Sequence, residues 1–135
     1  MKKSIYLTLT LMVAMTVASC GSSKKGESNV RGTVTTQSAA EFRETIGQRD
    51  MILIDVRTPK EYSEGHIAGA QNIDVKASDF AERIKDIKGR VAVYCRGGKR
   101  SLAAAEQLSN QGCTVYNLKG GIMEWQSAGY STTTK

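Results

Sequence analysis

Histidine occurs once in the 135-residue sequence and cysteine three times, and no two of these residues have the short spacing of a zinc-ligand set. No metal site is expected, and no cofactor. The longest apolar run, "SIYLTLTLMVAMTVAS", spans roughly 15 residues, short of the ~18–20 a membrane-crossing helix needs, so no transmembrane segment is expected. Internal repeats are lacking. So is any basic stripe with interleaved aromatic residues, and nucleic acid is therefore not an expected partner. The last absence is local. "VAVYCRGGKRSLAAA", Val91 to Ala105, carries three cations and no acidic residue, with Cys95 where its first apolar part ends.

The length has room for one domain with one hydrophobic core. The basic start "MKK", the apolar run and the small residues closing it read as a secretory signal peptide over residues 1–19. Its removal takes away Lys2 and Lys3 and no acid, so the net charge falls from +6 to +4. The ending "VASC", Val17 to Cys20, resembles the lipobox of bacterial lipoproteins. That resemblance implies cleavage before Cys20, acylation of its thiol and amine, and anchoring to a membrane of the cell envelope, with the protein facing the periplasm; two or more acyl chains hold stably. Residues 20–32, "CGSSKKGESNVRG", form a flexible tether, about a dozen residues reaching roughly 40 Å when extended. The folded domain is expected over 33–131, with the "STTTK" tail frayed.

Within that domain the signals alternate. "SAAE", Ser38 to Glu41, has the capping-box pattern and is followed by Phe42, Ile46 and a Gly47 stop. "MILID", Met51 to Asp55, is a continuous apolar run of strand length. "TPKE", Thr58 to Glu61, is a second capping box, with proline at the first helical position, and its short helix carries Tyr62 and ends near Gly65. Phe80, Ile84 and Ile87 predict a helix closed by Gly89. "VAVY" is the next buried strand. Leu102, Ala105 and Leu108 predict one apolar face of a helix that stops at Gly112. "TVYNL", Thr114 to Leu118, is a strand, and "GGIMEWQSAG" a last helix with Ile122 and Trp125. Strands and helices alternating at this length argue for an α/β fold, a parallel sheet with helices on both faces. All strands of such a sheet end on one edge, so Asp55, Cys95 and Gly120–Gly121 converge where open α/β sheets bind ligands.

Cys95 then stands at a strand–loop–helix junction. Gly97 and Gly98 open backbone conformations closed to other residues, which lets successive N–H groups turn inward as an anion-binding nest. A helix starting near Ser101, with that serine as its cap, points more N–H groups the same way. Arg96 and Lys99 are candidates for attracting an anion, and Arg100 for completing the wall. A thiol in this field ionises readily and becomes a nucleophile without a histidine base.

Three segments, "DVRTPKEYSEGHIAGAQNI" at Asp55–Ile73, "YCRGGKRS" at Tyr94–Ser101 and "LKGGIMEWQSAGY" at Leu118–Tyr130, resemble the rhodanese (sulfurtransferase) family. The resemblance implies a single rhodanese domain with a five-stranded parallel sheet. It also implies a persulfide on Cys95 and a cradle made by Arg96, Gly97, Gly98, Lys99, Arg100 and Ser101. The substrates so implied are a small sulfur-containing anion, thiosulfate or polysulfide, and a thiol or cyanide as acceptor.

Other readings compete. Phosphatases and arsenate reductases that share this fold have one more residue between cysteine and arginine than the four separating Cys95 from Arg100. A cysteine–histidine hydrolase would rest on His66, which the resemblance places among packing residues. A binding module that holds or senses sulfur without turnover keeps the same cysteine. Asp55 and Arg57 are expected to pair with each other as support for the loop. Cys95 and Cys113 fall on opposite sheet edges, separated by a strand of roughly 15 Å, well beyond the ~7 Å limit for a disulfide. Cys113 is therefore expected as a free core residue.

Overall fold

The computed structural model describes residues 30–135. The signal peptide over 1–19, Cys20 and the tether up to residue 29 lie outside the described residues. The elements run β1 (Thr33–Gln37), α1 (Ala39–Ile46), β2 (Met51–Asp55), α2 (Pro59–Glu64), β3 (Gln71–Asn72), α3 (Phe80–Ile84), β4 (Arg90–Tyr94), α4 (Lys99–Asn110), β5 (Thr114–Leu118) and α5 (Gly121–Ser127). The strands form one sheet of order β1-β5-β4-β2-β3, and every pairing is parallel.

The first two helices start for a local reason. In α1, Ser38 accepts from the Glu41 amide while the Glu41 carboxylate accepts from the Ser38 amide; Thr58 and Glu61 close the same box on α2, with Pro59 at its first turn. The apolar stripes then decide the layers. Phe80 and Ile84 of α3 pack with Ala104, Ala105 and Leu108 of α4 against Ile54, Val91, Val93 and Val115. On the other face, Phe42 of α1 and Ile122 and Trp125 of α5 pack against Leu53, Ala92, Tyr94 and Leu118. The sheet is therefore covered on both sides, and its carboxyl edge stays open for loops.

The structure departs from the sequence expectations in several places. Strands β1 and β3 carried no individual signal: "TVTTQ" is mostly exposed on one edge, and β3 is two residues long on the other. Helix α3 ends at Ile84, and Ile87 packs against the core from beyond it. On α4 the buried stripe is Ser101, Ala104, Ala105 and Leu108, whereas Leu102 is 42% exposed. Of the expected face, Ala105 and Leu108 are buried and only Leu102 is not; Ser101 and Ala104 complete the stripe. Gly32, assigned to the tether, is packed: its amide donates to Ser109 O at 2.7 Å, and a Cβ there would lie 1.7 Å from Cys113 O. Nor is the tail frayed. Thr133 and His66 exchange two main-chain hydrogen bonds of 2.8 Å, and Trp125 Nε1 donates to Ser131 O. No helix among the described residues is long and apolar enough to cross a membrane.

Candidate active site

Cys95 leaves β4 at its carboxyl end, in the core layer shared with α4. The chain then turns through Arg96 and Gly97 to Gly98, whose φ of 103° is left-handed and starts α4 at Lys99. Gly97 has no such φ, so only one of the two glycines is needed for its backbone freedom. The early helix start moves Ser101 into the first turn. It is not the cap; Gly98 is. Its hydroxyl reaches back instead, 3.4 Å from Cys95 Sγ and 3.1 Å from Gly98 O.

The sulfur is thus ringed by donors. The Gly98 amide donates to it at 3.0 Å. Burial pushes the Cys95 thiol up, and the Ser101 hydroxyl together with the amides of Ser101, Gly98 and Gly97 more than offsets this, leaving its pKa below the ordinary thiol value. Cys95 is only 1% exposed.

The N-terminus of α5 locks this loop from behind. The amides of Ile122 and Met123 donate to the carbonyls of Cys95 and Arg96, at 2.9 and 3.2 Å. Gly121, with φ of 62°, lies so close that a Cβ would fall 2.3 Å from Arg96 O and 2.5 Å from Cys95 O. A side chain there and the present loop position exclude each other.

Of the loop cations, Arg96 and Lys99 are exposed. Arg100 points to α2, where its Nη1 and Nη2 donate to the two carboxylate oxygens of Glu61 at 2.8 and 2.9 Å. Glu61 entered the sequence reading only as a capping partner. A usable signal was present: the cap stands just past the carboxyl end of β2, on the edge where an acid-free cationic loop needs a counter-charge. Asp55 and Arg57 do pair, Arg57 Nη2 to Asp55 Oδ2 at 2.6 Å, but Arg57 also donates to Gly65 O at 2.6 Å. Among the described residues none of the pair's side-chain hydrogen bonds runs to Arg96–Ser101, so the support it gives is to the Gly65 turn. Burial works against the Arg57 charge, and the hydrogen bonding to Asp55 together with the nearby charges of Asp55, Tyr94 and Glu61 outweighs it, raising its pKa. A cavity of about 350 Å³ opens beside the loop, lined by Arg57, Glu61, Gly65, Arg96, Ile122 and Met123.

His66 lies outside this arrangement. Its ring stacks on Tyr62 at 3.7 Å, with Nδ1 by Tyr62 O and Nε2 by Lys135 O. Cys113 is a free, buried thiol whose Sγ donates to Ile87 O.

Residues 38–128 match the rhodanese-like domain family. The chain belongs to that family. It is 46% identical over 88 residues to the uncharacterized protein YqhL of Bacillus subtilis, covering 63% of this chain and 67% of that one. It is 36% identical over 89 residues to the thiosulfate sulfurtransferase GlpE of Pseudomonas fluorescens, covering 64% of this chain and 81% of GlpE. A rhodanese-related protein from Thermoplasma volcanium superposes with a TM-score of 0.64 at 36% identity, over 74% of this chain and 98% of that one. The rhodanese-like fold, with its five parallel strands, is the one the sequence resemblance implied.

Proposed function

We propose that the protein transfers a sulfane sulfur from an anionic donor, thiosulfate or polysulfide, through a persulfide on Cys95 to a thiol or to cyanide. The observation that carries this is the ring of N–H and O–H groups turned toward Cys95 Sγ, which lowers the thiol pKa without a histidine. In the first half-reaction the Cys95 thiolate attacks the outer sulfur of the donor. For thiosulfate the S–S bond breaks, sulfite leaves with its electron pair, and Cys–S–S⁻ remains. In the second, the acceptor attacks the outer sulfur and Cys95 leaves as thiolate, restoring the enzyme. Fixed donors need little reorganisation as negative charge shifts along the two sulfurs. Arg96 and Lys99, exposed at the mouth, draw in the anion.

Intact-mass spectrometry after incubation with thiosulfate tests the reading. The wild-type chain should gain one sulfur that cyanide removes, and Cys95→Ser should gain none. An unmodified wild-type chain refutes it. The burial of Cys95 favours a second reading, a carrier that loads one sulfur and releases it only on docking a partner. Multiple turnovers with thiosulfate and cyanide support the enzyme; a single sulfur retained in cyanide supports the carrier.

Anchoring through an acylated Cys20 in the cell envelope belongs to the same proposal, on the strength of the "VASC" motif. Metabolic labelling with a fatty-acid analogue should mark the expressed full chain and leave Cys20→Ser unmarked.

A further inference from the structure

We infer that Glu61 is a positioning residue that holds the Arg100 guanidinium in the wall of the cysteine loop and off the sulfur, leaving the sulfur anion to neutral donors. The inference rests on the transfer chemistry proposed above, and it begins with the carboxylate. Both Glu61 oxygens face Arg100 in a two-pronged pair, and Oε2 also accepts from the Thr58 amide and hydroxyl at 3.0 and 3.1 Å. The capping box therefore holds the carboxylate on α2 independently of Arg100. A planar guanidinium bound by both prongs has its direction set as well as its distance.

Arg100 is the loop cation that needs such a hold. It sits at the second position of α4, one residue before Ser101, whose hydroxyl touches the sulfur. The Cys95 charge already contributes to raising the Arg100 pKa, after the larger effect of Glu61, so the two groups lie within electrostatic reach. Arg96 and Lys99, by contrast, make no ion pair among the described residues and remain available to the donor. The loop thus divides its cations, two exposed for attraction and one paired with Glu61.

The division matters because thiolate nucleophilicity falls with its pKa. A free guanidinium on the thiolate would raise the ionised fraction and blunt the attack on the donor's sulfur.

Glu61→Gln separates this role from capping, since glutamine also serves in a capping box. The readout is the pH dependence of Cys95 alkylation by iodoacetamide in the full chain, with Cys113→Ala as background. The Glu61→Gln thiol pKa should fall by about 1 unit, as for an ionisable group newly facing an opposite charge. Sulfur loading from thiosulfate, measured above both thiol pKa values, should slow about threefold. Adding Arg100→Gln removes the freed cation and should bring the thiol pKa back to the wild-type value. If Glu61 merely braces the loop, its loss loosens the donor ring, the thiol pKa rises, and the double variant stays shifted upward; that result overturns the inference, as does an unmoved pKa in Glu61→Gln. Alkylation requires no sulfur donor. A wild-type chain that alkylates normally but never loads sulfur would defeat the transfer reading while the pKa series still decided the position of Arg100.

Discussion

Gly121→Ala is the smallest change that sets the loop against its scaffold. The added Cβ would lie 2.3 Å from Arg96 O, 2.4 Å from Arg96 C and 2.5 Å from Cys95 O, all main-chain atoms with no rotamer to yield. Alanine also occupies the left-handed φ of 62° only at a cost of about 1–2 kcal/mol. Overpacking that the backbone must relieve adds about 1–3 kcal/mol. The total, about 2–5 kcal/mol, falls within the ~5–15 kcal/mol stability of a domain, so the variant should still fold. Relief has one direction available: α5 and the loop separate, and the hydrogen bonds from Ile122 to Cys95 O and from Met123 to Arg96 O stretch. The ring of amides then tilts off the sulfur. Urea unfolding should show a midpoint lower by about 1–3 M. Iodoacetamide at pH 7 should modify Cys95 more slowly in the folded variant, because the thiol pKa rises. Gly97→Ala is the control, with no left-handed φ and nothing within 4 Å of its new Cβ. A Gly121→Ala chain with the wild-type midpoint and wild-type alkylation would refute the close fit between α5 and the loop.

Two further predictions address the site's electrostatics. Ser101→Ala removes a buried hydroxyl 3.4 Å from the sulfur, and a hydrogen bond to a charged group is worth about 1.5 kcal/mol at its weaker end, so the Cys95 pKa should rise by about 1 unit; an unchanged alkylation profile would count against the hydroxyl as a donor. The second concerns Glu61, whose carboxyl Arg100 holds down, against burial and with help from Thr58, from 4.5 to about 2. A depressed folded-state pKa gives stability that is complete above the unfolded value near 4.5 and lost as pH falls through about 2. The stability difference between wild type and Glu61→Gln should therefore shrink between pH 6 and pH 3 in urea titrations, by about 1 kcal/mol for a pair partly screened by solvent, and a pH-independent difference would contradict the pairing.

The sequence discloses the layers because the central strands are buried on both faces. "MILID" and "VAVY" can be little else, and two capping boxes mark helix starts through chemistry contained within four residues. The edge strands escaped because their pairing is supplied by neighbours: "TVTTQ" becomes a strand through register with Thr114–Leu118, a partner far away in the chain. The loop was legible in composition but not in phase. Whether the helix starts at Lys99 or Ser101 depends on Gly98 taking a left-handed turn, and that shift changes Ser101 from a cap into a sulfur ligand. Glu61 was visible as a cap and invisible as a clamp, since its second role needs the fold to bring residues 61 and 100 together.

The two buried thiols separate what burial does from what the loop does. Cys113 and Cys95 are both almost wholly covered, at 0% and 1% exposure. At Cys113 burial dominates and pushes the thiol up against a lowering hydrogen bond from the Gln111 side chain; its own hydrogen atom goes to Ile87 O, an acceptor that favours the neutral form. At Cys95 the same penalty applies, and the thiol nevertheless goes down. The difference therefore lies in the neighbours: the Gln111 side chain alone donates against burial at Cys113, whereas the Ser101 hydroxyl and three amides do so at Cys95. Those donors exist because Gly98 reverses the chain immediately after the strand and a helix begins at once, leaving first-turn N–H groups with no carbonyl of their own. Cationic charge is not what distinguishes the two, since Lys88 acts on Cys113 in the same lowering direction and fails to prevail. A thiol moved to another strand end of this sheet, with the same surrounding cations but no left-handed turn, should behave like Cys113.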